Sequence, residues 1–125
     1  MARREWAYEA YRDRFEHARR DVVAHLCGLI PARDLLDIEL VTGEACSNVA
    51  RHSGSKTMRV AVEVEPGRVT LTVEDEGCGF CPDCVPEPDL ERTTGRGLAL
   101  MVGLSDCLAI ESRPGLTVVR AEWRL

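Results

Sequence analysis

The chain has 125 residues, of which 45% are hydrophobic and 30% charged, with a formal net charge of −5 and a pI near 5.2. That is the size and make-up of a single globular domain, residues 1–125, able to bury its own core. An acidic chain whose lone lysine is Lys56 lacks the clustered cations that a phosphate backbone demands, so nucleic acid is not expected as a direct partner. Its apolar runs are too short to span a bilayer, and its N-terminus lacks the apolar core of a signal sequence. Both features predict a cytoplasmic protein with no membrane association, in which the six cysteines are free thiols or metal ligands and not a disulfide framework.

Tyr11, Phe15, Ala18, Val22, Leu26 and Leu29 recur at three- and four-residue steps. This spacing predicts a first helix over Trp6 to Ile30, ended by Gly28 and Pro31. The charged run from Arg3 to Tyr8 fits the same helical pattern, so no strand is expected ahead of the helix. Arginines interleaved with acids here read as a solvated helix face. His17 and His25 are expected at the surface or the core edge, and Cys27 on the apolar face.

A second helix is predicted from about Asp34, its N-cap, to His52, with Ile38, Val41, Ala45, Cys46 and Val49 as its buried stripe. Ser53-Gly54-Ser55 stops it.

The period then changes to two. Met58, Val60, Val62 and Val64 alternate with polar neighbours, Pro66-Gly67 marks a turn, and Val69, Leu71 and Val73 alternate again. This predicts a β-hairpin with one buried face. Residues 76–94 have no periodicity and read as a functional loop. A short helix from about Gly97 to Leu104 precedes two strands, Leu108–Ser112 and Leu116–Trp123. Tight turns imply antiparallel pairing, and helices must cover one sheet face. The expected fold class is therefore α/β (α+β), a two-layer sandwich. Trp6 and Trp123, near the two ends, are expected to pack on each other.

Three segments carry chemistry. Glu44 and Asn48 sit four residues apart on the second helix and point the same way. Asn48 offers a neutral oxygen to a hard cation such as Mg²⁺, and Glu44 can take a proton from an attacking hydroxyl. His52 continues the line. Asp75-Glu76-Gly77-Cys78-Gly79-Phe80 leaves a strand: the acid can accept an adenine amino hydrogen, and the glycines let backbone approach a flat base. Thr94-Gly95-Arg96-Gly97-Leu98 opens a helix whose free N–H groups suit phosphate oxygens, with Arg96 adding charge. Each segment alone also fits an ordinary polar helix face, acidic turn or helix start.

Together and in this order they resemble the Bergerat ATP-binding fold of the GHKL family, which includes gyrase, MutL proteins, 90-kDa chaperones and histidine kinases. The N box is Glu44-Ala-Cys-Ser-Asn48-Val-Ala-Arg-His52, and the glycine boxes are Asp75-Glu-Gly77-Cys-Gly79-Phe and Gly95-Arg-Gly97-Leu98. The likeness runs from about residue 7 to residue 125 and is strongest to bacterial anti-sigma-factor serine kinases.

That resemblance implies ATP and Mg²⁺ as cofactors, Glu44 as general base, Asn48 as magnesium ligand and Asp75 as adenine acceptor. Gly77 and Gly79 would shape the pocket; Thr94, Gly95, Arg96, Gly97 and Leu98 would line the phosphates, with His52 near them. It implies a sigma factor and a Ser-bearing antagonist protein as partners, and pairing into homodimers. In relatives a Gly-Thr pair precedes the last strand. Here Thr117 stands nearest, with its side chain expected on the opposite strand face. The alternative reading is a nucleotide-dependent binding module without turnover. Cys78, Cys81 and Cys84 form C-x-x-C-x-x-C in the loop, either as unligated thiols or as a zinc, iron–sulfur or redox site with Cys107, Cys46 or an acid as fourth ligand.

Overall fold

The computed structural model describes residues 2–9, 14–53, 57–75, 99–113 and 116–125. Strand β1 (Ala2–Glu9) is followed by helices α1 (Arg14–Leu26) and α2 (Ala32–Ser53). The hairpin β2 (Thr57–Glu65) and β3 (Arg68–Asp75) comes next, and then the pair β4 (Cys107–Arg113) and β5 (Leu116–Arg124). Residues 99–104 are helical. The strands form one antiparallel sheet in the order β1-β2-β3-β5-β4, so β1 and β4 are its edges. This is the expected mixed α/β class. Among the described residues no helix is long and apolar enough to cross a membrane.

The N-terminal strand corrects the helical reading of Arg3 to Tyr8. Arg4, Trp6 and Tyr8 share one face, where Trp6 and Tyr8 pack on the core and Arg4 stays exposed, and Arg3, Glu5 and Ala7 are exposed on the other. The segment supports both periods, because Tyr8, Tyr11 and Phe15 also fall at helical spacing. Pairing decides: Trp6 opposes Val60 and Tyr8 opposes Met58, which covers the open edge of β2, and aromatic residues suit a half-buried pleat. The first helix accordingly starts at Arg14 and not at Trp6.

Helix α1 stops at Leu26 because Gly28 takes the left-handed conformation (φ 86°), which other residues rarely adopt. Cys27 therefore lies beyond the helix and is exposed, against its expected burial; Cys46 on α2 is buried as expected. Helix α2 starts earlier than read. The Leu35 amide donates to Pro31 O at 3.0 Å, which places Asp34 inside the first turn and not at the cap, where its charge still favours the helix N-terminus.

The core lies between α1 and α2 on one side and the inward faces of β2, β3 and β5 on the other. Ala18, Val22, Leu26, Ile38, Val41, Val60, Val62, Val69 and Val73 are all fully buried there. Met101 joins them from the 99–104 helical segment. The tryptophans do not meet, since β2 and β3 stand between their strands. The Trp123 indole donates to Leu104 O at 2.6 Å, and Trp6 meets His25 edge-on, ring centres 5.8 Å apart.

Candidate functional site

Helix α2 packs against β3 and β5, and so brings its polar line to the strands that carry the other site residues. Ile38, Val41 and Ala45 turn inward on α2, which fixes its rotation. Glu44 and Asn48 then fall on the rim of the buried stripe, one helical turn apart (~6 Å along the axis). Glu44 is partly buried, and Asn48 is only 7% exposed. A buried carboxamide with an accessible carboxylate one turn away offers an oxygen donor and a base on one ridge. The neutral oxygen suits a hard cation such as magnesium, which keeps water and phosphate oxygens as its other ligands.

Asp75 ends β3, paired with Met58 on β2 and with Thr117 on β5. Thr117 shares the strand parity of the buried Val119, Ala121 and Trp123, and directly opposed residues of an antiparallel pair share a face. Its expected placement on the opposite face is thus corrected: Thr117 is partly buried and occupies the core-side row beside Asp75. Met58, fully buried, completes this row and was not singled out from the sequence. The signal was present. Counting pairs outward from the Pro66-Gly67 turn, with Glu65 opposite Arg68, lands Met58 opposite Asp75.

His52 belongs to α2, one turn beyond Asn48. Gly77, Gly79, Thr94, Gly95, Arg96, Gly97 and Leu98 lie outside the described residues, as do the loop thiols Cys78, Cys81 and Cys84. Of the fourth ligands considered for those thiols, Cys46 is closed off. It lies fully buried among apolar neighbours, and burial pushes its thiol up to about 12. Cys107 is exposed on the edge strand β4. Among the described residues no group of three His, Cys, Asp or Glu side chains can hold a metal.

A trough of about 340 Å³ occupies the other face of the sheet, over Ala61, Thr70 and Thr72. Its rim is neutralised within the chain by Arg3–Glu63, Arg59–Glu5, Arg59–Glu74 and Arg68–Glu65 pairs. It lies on the face away from α2 and does not contribute to the Glu44–Asn48 site.

Comparison with known proteins agrees with this fold. The family described as "Histidine kinase-like ATPase domain" matches residues 8–123. The anti-sigma F factor of Bacillus licheniformis is 34% identical over 110 residues, covering 78% of this chain and 74% of the relative. That of Pasteuria penetrans is 33% identical over 111 residues, covering 78% and 73%. Among solved structures, the RsbU and RsbW domains of a Mycobacterium tuberculosis protein superpose with a TM-score of 0.75 at 18% identity over 100% of this chain, which spans 32% of that one. The histidine kinase domain of a blue-light activated histidine kinase from Erythrobacter litoralis gives 0.58 at 23% identity, covering 77% of this chain and 46% of that one. At these identities the two structures speak for the fold.

Proposed function

Because this chain belongs to the histidine kinase-like ATPase family, matched over residues 8–123, we propose that it is an ATP-dependent serine protein kinase serving as an anti-sigma regulator. Its substrate would be a Ser-bearing antagonist protein and its second partner a sigma factor, in the cytoplasm. The observation that carries the reading is the Glu44–Asn48 pair, a partly exposed carboxylate one turn from a buried carboxamide on α2. A module that only bound nucleotide would have no chemical use for a base at that place. The 34% identity to an anti-sigma F factor supports the choice of partners.

In this mechanism the Ser Oγ forms a bond to the γ-phosphorus while the bond from that phosphorus to the β–γ bridging oxygen breaks. ADP leaves, and the hydroxyl proton passes to Glu44. Magnesium, when bound, would supply charge neutralisation to the phosphates, and Asn48 is the side chain that would hold it. Asp75, at the end of β3, would accept the adenine amino hydrogen; Thr117 and Met58 pair with it across the strands. The glycine segments around Gly77 and Gly79, and around Gly95, Arg96 and Gly97, are assigned to base and phosphates. Pairing into a homodimer belongs to the same reading.

The test is Mg·ATP calorimetry on the parent and on Asp75→Asn, followed by phosphate transfer to a Ser-bearing antagonist. Tight binding lost in the variant, with acid-stable product, is expected. Binding without transfer to any hydroxyl would instead favour a nucleotide-dependent binding module. Acid-labile product would point to histidine as acceptor.

A further inference from the structure

On α2, Leu36, Leu40, Glu44 and Asn48 follow one another at four-residue steps. Each step advances ~6 Å along the helix and turns ~40° around it, so the line winds slowly about the axis. Exposure falls along it: Leu36 is 57% exposed and Leu40 38%, Glu44 is partly buried, and Asn48 is 7% exposed. The line is a ramp that runs from solvent into the site. Packing does not explain its outer end. Neither leucine belongs to the core or to the partly buried side chains packed on it. The helix is already held, by Ile38, Val41 and Ala45 toward the core and by the close approach of the Arg19 stem of α1 to Gly43. Scattered exposed leucines are common, but a solvated helix face is ordinarily polar. Among the described residues the exposed large hydrophobics are Leu29, Leu36, Leu40, Val102, Ile110 and Leu125, and only Leu36 and Leu40 stand one turn apart on one helix.

We propose that Leu36 and Leu40 form the docking ridge for the Ser-bearing protein substrate and take up aliphatic side chains that flank its target Ser, an inference that rests on the kinase reading. The geometry of transfer selects this occupant. The acceptor oxygen must approach the γ-phosphorus from the side opposite the leaving ADP. Along α2 from Glu44, the C-terminal direction leads to Asn48 and the magnesium it would hold. The N-terminal direction leads over Leu40 and Leu36 into solvent. A protein partner of standard size covers ~800 Å² of its target, a patch ~16 Å in radius. Leu40 and Leu36 lie ~6 and ~12 Å along the axis from Glu44, so a protein centred on that carboxylate lies over both. Arg33 and Asp37, each three residues before one of the leucines, border the ridge with charge. An apolar centre with a polar rim is the make-up of a protein contact, and leucine gains from burial only against apolar surface.

The test compares the parent with the double variant Leu36→Gln, Leu40→Gln, using the Ser-bearing antagonist that accepts phosphate from the parent. Glutamine matches leucine in helix propensity, so α2 should stay folded. KM for the antagonist should rise at least tenfold, with kcat at saturation and Kd for Mg·ATP unchanged. Replacing the exposed aliphatic side chain nearest the target Ser of the antagonist by Gln should raise KM with the parent and add little with the double variant, as a shared contact requires. An unchanged KM in the double variant would overturn the ridge and leave the kinase reading intact. Loss of Mg·ATP affinity in step with KM would also overturn it, by assigning the leucines to the fold of α2. So would a change of oligomeric state in sedimentation, which would assign them to a contact between copies of the chain. A parent that phosphorylates no Ser-bearing protein would remove the kinase reading, and the ridge with it.

Discussion

Thr42 and Asn48 are the buried polar side chains among the described residues, and they are buried for different reasons. The Thr42 hydroxyl donates to Ile38 O at 2.7 Å within its own helix, so its burial is satisfied locally. Asn48 is the side chain proposed to hold magnesium, a use that would account for a buried carboxamide at this place on α2. We expect Asn48→Ala to weaken Mg·ATP binding more than tenfold in calorimetry, with the melting temperature little changed. Glu44→Ala should bind Mg·ATP as the parent does, yet transfer phosphate ~10²–10⁴-fold more slowly in a single-turnover assay, the usual range for a lost general base. Equal transfer rates in the two proteins would remove Glu44 from the chemistry. The placement of the two side chains was readable in the sequence because a four-residue helical spacing is enough to align them. The face of Thr117 was not legible from the Gly-Thr position of relatives, because strand parity in this chain is set by its own buried residues. Counting back in twos from the buried Trp123 gives its true row.

At the scale of elements, the hairpin and its register were legible, since a two-residue turn at Pro66-Gly67, with Gly67 at φ 79°, fixes every pair beyond it. Strand β1 was not, because an edge strand bearing charges on both faces has no clean alternation and only its partner selects the period. The α1–α2 packing was equally hidden. Gly43, in the interior of α2, reads as a helix weakness, but a methyl there would meet the Arg19 Cδ of α1 at 3.1 Å. Arg19 is held by Glu16 at 3.0 Å and Glu39 at 3.5 Å, pairs exposed enough to let its stem shift by a few tenths of an ångström. Gly43→Ala should therefore stabilise the chain by about 0.5 kcal/mol in urea unfolding, part of the ~1 kcal/mol that alanine gains over glycine in a helix. In an Arg19→Ala background the same change should yield the full ~1 kcal/mol. A smaller gain there than in the parent would show that Arg19 does not crowd this position.

For the molecule as a whole, one buried acid, Cys46, and one half-buried acid, Tyr8, lower stability at alkaline pH. Burial raises the Cys46 thiol from 9.0 to about 12. Burial, and then the hydrogen bond to Asp21, raise the Tyr8 phenol well above its ordinary value of 10.0. Both groups are neutral in the folded chain at pH values where the unfolded chain has ionised them. The unfolded state then binds fewer protons, and stability falls as pH rises. For Cys46 the contribution is complete below pH 9.0 and is lost as pH climbs through about 12; Tyr8 adds to the loss only above pH 10.0. Urea unfolding at pH 8 and again at pH 11 should show the parent much less stable at the higher pH. Cys46→Ala should start lower at pH 8, because it removes a packed side chain, but lose less on going to pH 11. Tyr8→Phe should lose less only over the upper part of that interval. Parallel losses in the parent and Cys46→Ala would mean that the thiol reaches water in the native state, in conflict with its place in the core beside Ile38, Val41 and Ala45.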